Sequence, residues 1–245
     1  MEIQKTKLDW KKFEPRFGSW AQKIKPFFDD GGLDEIYAFL KTQSGKGAKI
    51  APQSINTFRC FKETSLEDLK CVLVFQDPYF TFKDGEPVAD GLALGCSITE
   101  RAQPTLKQFY DGIEKELYNG LNLDYIDSYD VSYLAKQGVL MFNAALTVEK
   151  DKAGSHKDVW LPFTKYVLEK IIGFTGVPII FFGKQAQEYE CLVEQSNLTL
   201  SVSHPASASY NGGVWDSKKV FSLVNEELEK QDKDGIMWLN IDTPF

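Results

Sequence analysis

The sequence lacks any apolar run long enough to cross a membrane. Its hydrophobic stretches are short segments such as "CVLVF", "GVLMF" and "VPIIFF", whereas a membrane-spanning helix needs about 20 apolar residues. The N-terminal segment, "MEIQKTKLDWKKFEPRF", is charged and aromatic and shows neither the apolar region nor the cleavage site of a secretory signal. We therefore expect a cytoplasmic, intracellular protein that does not act at a membrane.

Paired cysteines and an excess of positive charge are also missing. Cys60, Cys71, Cys96 and Cys191 form no C-x-x-C pair, and their spacing predicts no metal or iron–sulfur site. Cys71 and Cys191 fall in apolar segments, so we expect both to be buried, reduced thiols. The net charge of −7 and the pI of about 5.0 argue against a protein that coats nucleic acid nonspecifically. A local basic groove on an acidic body stays compatible with this composition.

Several catalytic and nucleotide-binding signatures are absent as well. There is no G-x-S-x-G nucleophile elbow. The glycine-containing turn in "FFGKQAQ" lacks the G-x-x-x-x-G-K spacing of a phosphate-binding loop. A nucleophilic serine triad and a nucleotide-phosphate site are therefore disfavoured.

Strand-like and helix-like segments do alternate along most of the chain. The predicted strands are "CVLVF" (71–75), "GVLMF" (138–142), "VPIIFF" (177–182) and "LTLSVS" (198–203). The helical segments that follow them are 104–119, 160–174, 184–195 and 216–231, with Pro104 suited to a first helical turn and Asp216 or Ser217 suited to a cap. This alternation predicts an α/β fold of three layers, α/β/α, around a central four-stranded, mainly parallel sheet. We expect one domain over 1–245, with a helical N-terminal segment over about 1–65 and an α/β core over about 66–230.

Polar residues follow each predicted strand. Asp77 follows the first strand, Asn143 the second, Gly183 the third and His204 the fourth. Each has an ordinary structural explanation, such as a helix cap or a satisfied turn. Because the carboxyl ends of parallel strands meet at one edge of a sheet, we nevertheless expect a shared pocket there.

The residue types in this pocket suit one kind of chemistry. A carboxylate can orient a water molecule or stabilise a developing cation, and a neutral imidazole can donate a hydrogen bond to a developing anion. The amide of Asn143 offers both a donor and an acceptor to the edge of a flat heterocycle. Tyr79 could wall such a pocket. Together these groups favour cleavage of a bond between a sugar-like centre and a flat heterocycle that leaves as an anion.

Several motifs resemble those of family 1 uracil-DNA glycosylases. "VLVFQDPYF" is similar to the family's water-activating motif, Gly-Gln-Asp-Pro-Tyr-His. "AKQGVLMFNAALTV" is similar to its uracil-reading strand, and "SHPASAS" to its minor-groove loop, His-Pro-Ser-Pro-Leu-Ser. "AGSHK" and "FFGKQAQ" also match. The resemblance runs in order from roughly residue 19 to residue 230.

The resemblance implies a role for each matching pocket residue. Asp77 would position the attacking water and stabilise the cationic sugar, and His204, neutral, would hydrogen-bond O2 of the leaving uracil. Gln76 would contact the base through its backbone, and Tyr79 would exclude thymine by clashing with its methyl group. Asn143 would read the N3–H and O4 edge. The family's reaction flips the base out of the stack and requires neither a metal nor a cofactor.

The same resemblance implies a DNA-binding surface on the surrounding loops. The matching positions are Gln103, Pro104, Thr105, Ser155, His156, Gly183, Lys184, Ser203, Pro205, Ser207, Ala208 and Ser209. His156 could grip a phosphate or could cap the helix that follows it. The implied partner is uracil-containing DNA, bound by a monomer. Whether a protein inhibitor also binds is left open by the sequence.

The base pocket departs from the family pattern at three positions. Phe80 stands where the family has His, and Phe75 stands where it has Gly. The family's base-stacking Phe falls near Leu94, so stacking is either lost or supplied by Phe80 or Phe82. The segment "TFKDGEPVADGLALGCS" is also about four residues longer than its counterpart. We count Phe80 and Leu94 among the base-binding positions.

The DNA-handling loops depart further. Ala206 and Ser207 replace Ser-Pro, Ala208 replaces the Leu that wedges into the vacated stack, and Lys184 replaces a Ser. "RAQPT" is a depleted form of the Pro-rich loop, and no Arg stands near 210–213. A lost wedge weakens base flipping from a duplex, so we expect a relative preference for single-stranded DNA.

Three hypotheses follow from these patterns. The first is a DNA-repair glycosylase that hydrolyses the N-glycosidic bond of deoxyuridine, releases uracil and leaves an abasic site. The second is a glycosylase of the same superfamily for another damaged base, reshaped by Leu94, Phe75 and Phe80. The third is a non-catalytic member that binds DNA or protein. Retention of Asp77, Asn143 and His204 together argues against the third, whereas the acidic pI and the altered DNA-handling loops argue for it.

Overall fold

The computed structural model describes residues 7–119, 129–193, 197–210, 213 and 215–241. Positions 211 and 212, within the stretch where no groove-binding Arg stands, lie outside these residues. The strands are β1 (Ile50–Ala51), β2 (Cys71–Phe75), β3 (Phe82–Lys83), β4 (Glu86–Pro87), β5 (Val139–Asn143), β6 (Val148–Glu149), β7 (Ile179–Phe182) and β8 (Thr199–Val202). The α-helices are α1 (Trp10–Phe17), α2 (Ala21–Asp29), α3 (Gly32–Gly45), α4 (Arg59–Glu63), α5 (Pro104–Leu117), α6 (Ser132–Ala135), α7 (Lys157–Lys170), α8 (Lys184–Gln187) and α9 (Val220–Lys230). Within this part of the chain, no helix is both long and apolar enough to cross a bilayer.

The central sheet has four parallel strands in the order β5-β2-β7-β8. Three of them, β5, β2 and β7, are buried at every residue, as expected of a parallel sheet covered on both faces by helices. All four predicted strands are confirmed, as is the predicted α/β fold. The register places Phe75 opposite Asn143, so β2 and β5 end at the same level.

The N-terminal helices reach the sheet through α4, which contacts β5 with an aromatic side chain. Phe61 of α4 contacts Phe142 of β5, with ring centroids 5.8 Å apart, and also Phe163 of α7. Trp20 packs edge-on against Phe61 and donates its indole N–H to the Thr64 carbonyl at 2.8 Å. These contacts join the N-terminal helices and the sheet in one cluster of buried side chains.

Helix α7 spans Lys157–Lys170 rather than the predicted 160–174, and two further helices also differ from the sequence prediction. Helix α5 begins at Pro104 as expected, but α8 ends at Gln187 instead of continuing to 195. The chain turns there because the Glu190 carboxylate accepts hydrogen bonds from Thr199 and Ser201. Cys191 is consequently exposed, so its predicted burial was wrong.

The other differing helix is α9, which begins at Val220 rather than at the predicted cap, Asp216 or Ser217. The Ser217 hydroxyl instead donates to Glu116 of α5 at 2.5 Å. The Asp216 carboxylate accepts from the Lys218 backbone at 2.9 Å, which forms a turn before the helix. The predicted cap was therefore wrong, because the Ser217 side chain bonds to α5 and the Asp216 side chain bonds within the turn before α9.

The segment that is longer than its family counterpart forms a β-hairpin. Strands β3 and β4 pair antiparallel, and the turn residues Asp84 and Gly85 both have positive φ angles, of 52° and 91°. An Asp-Gly pair favours this type of tight turn. Phe82 packs against a small cluster formed by Ala51, Ala89 and Val148.

Candidate active site

The polar residues predicted to converge lie at the carboxyl edge of the central sheet. Asn143 is the last residue of β5, and Asp77 lies two residues beyond β2. The loops after these strands are joined by backbone hydrogen bonds, from Ala144 to Phe75 at 2.8 Å and from Ala145 to Gln76 at 2.9 Å. The amide of Asn143 and the carboxylate of Asp77 are therefore anchored on neighbouring, rigid strand ends.

His204 reaches the same edge by crossing over β7. It follows β8, which is not a neighbour of β2, yet the His204 and Phe75 rings lie 5.8 Å apart. The crossing passes over Gly183, where an added Cβ would lie 3.0 Å from the His204 Cβ. A glycine at this position thus leaves room for the loop that carries the imidazole.

Replacing Gly183 with alanine is expected to cost more than the same change at Gly47, which has a similar φ but open surroundings. Gly183 has a φ of +84°, and Gly47 has a φ of +87° with no atom within 4 Å of an added Cβ. The ψ of Gly183 is 161°, a conformation that essentially only glycine adopts, so its backbone term is about 1–3 kcal/mol, against about 1–2 kcal/mol for the positive φ of Gly47. Gly183→Ala loses about 1–3 kcal/mol more by crowding His204. Urea unfolding measures both; equal losses would show that the contact with His204 does not matter.

The Asp77 carboxylate is held from two sides. Its Oδ2 accepts a hydrogen bond from the Gly154 backbone N–H at 2.5 Å, and the Gln76 side chain also hydrogen-bonds to it. Burial raises the pKa of Asp77, while the bonds from Gly154 and Gln76 oppose that rise. Gly154 has a φ of +74° and lies in the "AGSHK" segment. The match of that segment to the family motif did not predict a role for Gly154.

His204 is neutral and its proton position is fixed by the backbone. Burial lowers the pKa of His204 to about 4. Its Nδ1 accepts a hydrogen bond from the Ala206 N–H at 3.2 Å. Because a backbone N–H can only donate, Nδ1 is unprotonated and the ring carries its proton on Nε2. The imidazole can therefore donate one hydrogen bond, through Nε2.

Asn143 and Tyr79 supply an amide and an aromatic wall. Asn143 is buried, with 4% of its surface exposed, and no hydrogen bond within the described part of the chain ties its side-chain amide. The Tyr79 ring packs against both hydrophobic clusters. Its hydroxyl is buried and has no hydrogen-bond partner among the described residues, and burial raises its pKa. Asn143 therefore offers a free hydrogen-bonding edge, and Tyr79 offers a rigid, flat surface.

The loop that carries Leu94 lies alongside β5. The Ala93 N–H donates to the Met141 carbonyl at 3.0 Å, and Leu94 is buried with a φ of +63°. The Asp90 carboxylate organises this loop by accepting from the Leu92 and Ser97 amides, each at 3.1 Å.

An ion pair anchors that loop to α4. The Arg59 guanidinium lies 2.9 Å from the Asp90 carboxylate, whose side chain is 2% exposed, and it also contacts Glu63 and Asp130. Sequence reasoning missed Arg59 and Asp90. Nothing near either residue in the chain signals a pair separated by 31 positions.

Curated relatives named uracil-DNA glycosylase match nearly the whole chain. The protein of Pseudomonas aeruginosa (strain UCBPP-PA14) is 32% identical over 225 residues, which cover 90% of this chain and 93% of the relative. That of Francisella tularensis subsp. tularensis (strain WY96-3418) is 32% identical over 217 residues, which cover 86% and 92%. This chain belongs to the uracil-DNA glycosylase family. No family model matches it.

Solved structures show that the fold is also that of uracil-DNA glycosylases. The mimivirus uracil-DNA glycosylase matches with a TM-score of 0.81 at 20% identity, covering 95% of this chain and 90% of that one. A variant of the mimivirus protein, solved in complex with UGI, gives the same TM-score and covers 96% and 92%. The enzyme from Nitratifractor salsuginis matches with a TM-score of 0.61 at 16% identity, covering 93% and 98%.

A groove beside the carboxyl edge of the sheet brings several predicted DNA contacts together. It has a volume of about 530 Å³ and lies between the start of α5 and the loop after β8. Its lining includes the predicted residues Gln103, Pro104, Thr105 and Ser209. Two cations that sequence reasoning missed, Arg101 and Lys107, also line it, together with the carboxylate of Asp111. The groove is thus a mixed surface with two positive charges at one wall.

Three predicted DNA contacts, His156, Pro205 and Ala208, have buried side chains. His156 is 2% exposed: its Nδ1 lies 2.8 Å from the Thr147 hydroxyl, and its ring packs edge-on against Phe39. It stands just before α7 but makes no side-chain cap. Ala208 is 1% exposed. We therefore leave the side chains of His156, Pro205 and Ala208 out of the DNA surface proposed below.

The other predicted contacts shape the loops or lie on their surface. Lys184 is exposed as the first residue of α8. The Ser155 hydroxyl accepts from the Glu149 N–H at 2.8 Å. Ser203 accepts from the Trp215 indole at 2.9 Å through its carbonyl, and the Ser207 hydroxyl lies 3.3 Å from that of Ser203. The contacts of Ser203 and Ser207 stiffen the loop that carries His204.

The aromatic candidates for base stacking have different surroundings. Phe80 is 37% exposed, and its carbonyl accepts from the Asp151 N–H at 3.1 Å. Phe82 is occupied by its hairpin cluster, and the Lys150 ammonium lies 5.9 Å from its ring. Of these two rings, Phe80 is the more available to a ligand.

A larger cavity, of about 840 Å³, lies elsewhere, between α3 and the segment 48–57. Among the described residues that line it, none is a predicted site residue; Thr147 alone connects it to His156. We therefore assign the chemistry to the sheet edge, where the polar groups converge. Within the described ranges, no three His, Cys, Asp or Glu side chains cluster as metal ligands would, and a reaction without metal or cofactor stays a prediction.

Proposed function

We propose that this protein hydrolyses the N-glycosidic bond of deoxyuridine in DNA, releasing uracil and leaving an abasic site. The observation that carries the proposal is the meeting, at one sheet edge, of a fixed carboxylate, a neutral imidazole and a free amide. Membership of the uracil-DNA glycosylase family supports it. The motif set "QDPY", "GVLMFNAAL" and "SHPASAS" supports the narrower proposal of family 1.

Asp77 acts at the sugar. The Gly154 amide and the Gln76 side chain hold the carboxylate, and its remaining lone pairs orient a water molecule toward C1′. As the C1′–N1 bond breaks, positive charge develops on the sugar, and the carboxylate stabilises it. The water oxygen then bonds to C1′ and its proton passes to the carboxylate. Because burial raises the pKa of Asp77, this carboxylate is a better proton acceptor than an exposed one.

His204 acts at the leaving base. The bonding electrons pass to uracil, which departs as an anion with charge on O2. The Nε2–H of the neutral imidazole donates a hydrogen bond to that oxygen without transferring its proton. Because burial holds the His204 pKa near 4, the ring stays neutral at physiological pH. Its orientation is fixed in advance by the bond from Ala206, so little reorganisation accompanies the reaction.

Asn143 and Tyr79 select the base. The Asn143 amide accepts from uracil N3–H and donates to O4, whereas cytosine presents the opposite pattern at both positions. The proposed role of the Tyr79 ring is to clash with a C5 methyl group, which would exclude thymine. The backbone of Gln76 contacts the base, and Leu94 and Phe80 line the remaining sides. We therefore expect discrimination for uracil against both normal pyrimidines.

DNA binding is proposed for the exposed loops around this pocket. The bound species is a monomer on uracil-containing DNA, and this substrate agrees with the cytoplasmic, intracellular location predicted from the sequence. A variant of the mimivirus relative forms a complex with UGI, and whether a protein inhibitor also captures this chain stays open. The residues that would follow the phosphate backbone are the groove residues Gln103, Pro104, Thr105 and Ser209, with Lys184 and the loops at Ser155, Gly183, Ser203, Pro205 and Ser207.

Single-stranded DNA is expected to be the better substrate. No large side chain stands at Ala208 to fill a vacated stack, and the cost of unstacking and unpairing, a few kcal/mol, falls mainly on the duplex. We expect single-turnover uracil release about 10-fold or more faster from a single-stranded than from a duplex oligonucleotide.

The same assay tests the function itself. Matched oligonucleotides carrying uracil, thymine, cytosine or other damaged bases are incubated with excess enzyme, and the free base is measured. Uracil release supports the proposal. Release of another base alone would favour the glycosylase of altered specificity, and binding without release would favour the non-catalytic hypothesis. Equal rates on single strands and duplexes would contradict the strand preference alone.

A further inference from the structure

Phe75 occupies an unusual place for a large side chain. It is the last residue of β2, directly before the Gln76-Asp77 pair, and is 1% exposed. Its ring stacks on that of Phe182, with centroids 4.3 Å apart and planes at 8°. It also lies near the Phe109 ring, at 6.5 Å, and near the His204 imidazole, which is 5.8 Å away and nearly perpendicular, at 88°. The phenyl ring therefore links the ends of β2 and β7 to the loop after β8.

This contact is matched by others around the imidazole. Gly183 allows His204 to cross β7, and the Ala206 N–H bonds Nδ1 at 3.2 Å. The Ser207 N–H donates a hydrogen bond to the His204 carbonyl at 2.8 Å. The hydrogen bonds fix the backbone and the tautomer of His204, but they leave the ring faces free. Phe75 supplies the apolar contact on the ring itself, in an edge-to-face geometry that aromatic pairs favour.

We propose that Phe75, backed by Phe182, is a positioning residue that holds the His204 imidazole against the sheet edge and keeps water from it. The inference rests on the proposed function, since it assigns a support to the group that stabilises the leaving base. It also gives Phe75 a purpose at a position where the resembling motif has glycine. Phe75 does not touch the substrate in this scheme; it acts through His204.

Several charged side chains lie around the loop that carries His204. They are Asp77 beyond β2, Lys184 and Glu188 at α8, and Arg101, Lys107 and Asp111 in the groove that Ala206 also lines. None of them contributes to the lowered pKa of His204, whose cause is burial. Removing the Phe75 ring admits water to the imidazole and stabilises its protonated form. The His204 pKa should therefore rise toward its ordinary value in such a variant.

The chain offers a direct measurement because it contains only two histidines, His156 and His204. In protein labelled with ¹⁵N at histidine, each ring gives its own pair of nitrogen resonances, which report both tautomer and titration. We expect Phe75→Ala to raise the His204 pKa by about one unit or more and to leave His156 unchanged. Phe163→Ala, at a buried ring on α7 away from His204, is the matched control and should leave the His204 titration unchanged.

Kinetics supply the second readout. In Phe75→Ala we expect kcat for uracil release to fall about 10-fold at neutral pH with KM within about twofold, because a mispositioned donor weakens only the transition state. The acid limb of the pH profile should move to higher pH, since His204 must be neutral to act. Phe75→Leu, which keeps an apolar side chain, should lie between Phe75→Ala and the wild type in both measurements.

The outcomes separate this inference from the proposed function. An unchanged His204 titration in folded Phe75→Ala overturns the positioning role, whatever the activity; if that variant does not fold, an unchanged titration in Phe75→Leu does the same. A shifted titration in a protein that releases no base would leave the support of His204 standing and reject the glycosylase activity. A fall in kcat with no change in the histidine spectra would assign Phe75 to general stability only.

Discussion

Replacing Asp77 with asparagine is expected to lower the single-turnover rate of uracil release by about 10³-fold, within the range for loss of a positioned acid–base group. The reason is electrostatic: an amide neither stabilises the cationic sugar nor accepts the proton of the attacking water. The change preserves shape, because the amide oxygen can still accept the Gly154 N–H that now binds Oδ2. The measurement is base release from a single-stranded uracil oligonucleotide with enzyme in excess, so that substrate binding is not limiting.

The stability of the same variant distinguishes loss of chemistry from loss of fold. Burial raises the Asp77 pKa in the folded protein, so the folded state binds protons more readily than the unfolded chain. Stability contributed by this group therefore falls as pH rises through the two pKa values. Removing the charge should leave Tm at neutral pH unchanged or slightly higher. A large drop in Tm would attribute the loss of activity to unfolding instead.

Asp151→Asn is the matched control for charge. Asp151 lies three residues before Gly154, in the same loop. Its backbone N–H donates to the Phe80 carbonyl, and its side chain is 67% exposed. Its φ of +59° is tolerated by asparagine. The variant removes the same charge near the site without touching the pocket, and its rate should stay within about twofold of the wild type. A comparable loss in both variants would mean that net charge, not the position of Asp77, governs the rate.

Local patterns in the sequence were enough to predict the sheet and the line of residues along its edge. The short apolar runs, from the one that begins at Cys71 to the one that ends at Phe182, are typical of strands in a parallel sheet that helices cover on both faces. The strands could therefore be predicted from composition and length. Since parallel strands share one carboxyl edge, the positions of Asp77, Asn143 and His204 followed in turn. The Pro104 start of α5 is local too, because proline suits the first helical turn.

Contacts between distant segments could not be read in this way. That His204 crosses β7 to meet Phe75 depends on the space over Gly183, which is a property of three strands at once. Cys191 sits in an apolar pattern typical of a helix, but bonds from β8 to Glu190 redirect the chain and expose it. Ala208 takes the place of a surface wedge in the minor-groove motif, but in the structure it is buried. In each case tertiary structure overrode a local signal.

Asn143→Asp is expected to lower uracil release by about 10²-fold or more, because a polar site that loses a hydrogen-bond partner rejects its substrate strongly. An ionised carboxylate has no N–H to donate to uracil O4, and its charge opposes the anion that forms on the departing base. The same carboxylate can accept from the exocyclic amine of cytosine. The variant should therefore gain in the ratio of cytosine to uracil release, measured on otherwise identical single-stranded oligonucleotides.

Asn197→Asp separates this effect from the cost of burying a carboxylate. Asn197 is also buried, at 6% exposure, and its amide donates to the Val177 carbonyl at 2.9 Å, on a loop before β8 rather than at the carboxyl edge. Both variants should lose stability, by about 1–3 kcal/mol, because each places a carboxylate where an amide was buried. Only Asn143→Asp should change the choice of base, since only its amide is free at the pocket. Unaltered uracil release in folded Asn143→Asp would remove Asn143 from base reading and transfer that role to the backbone at Gln76.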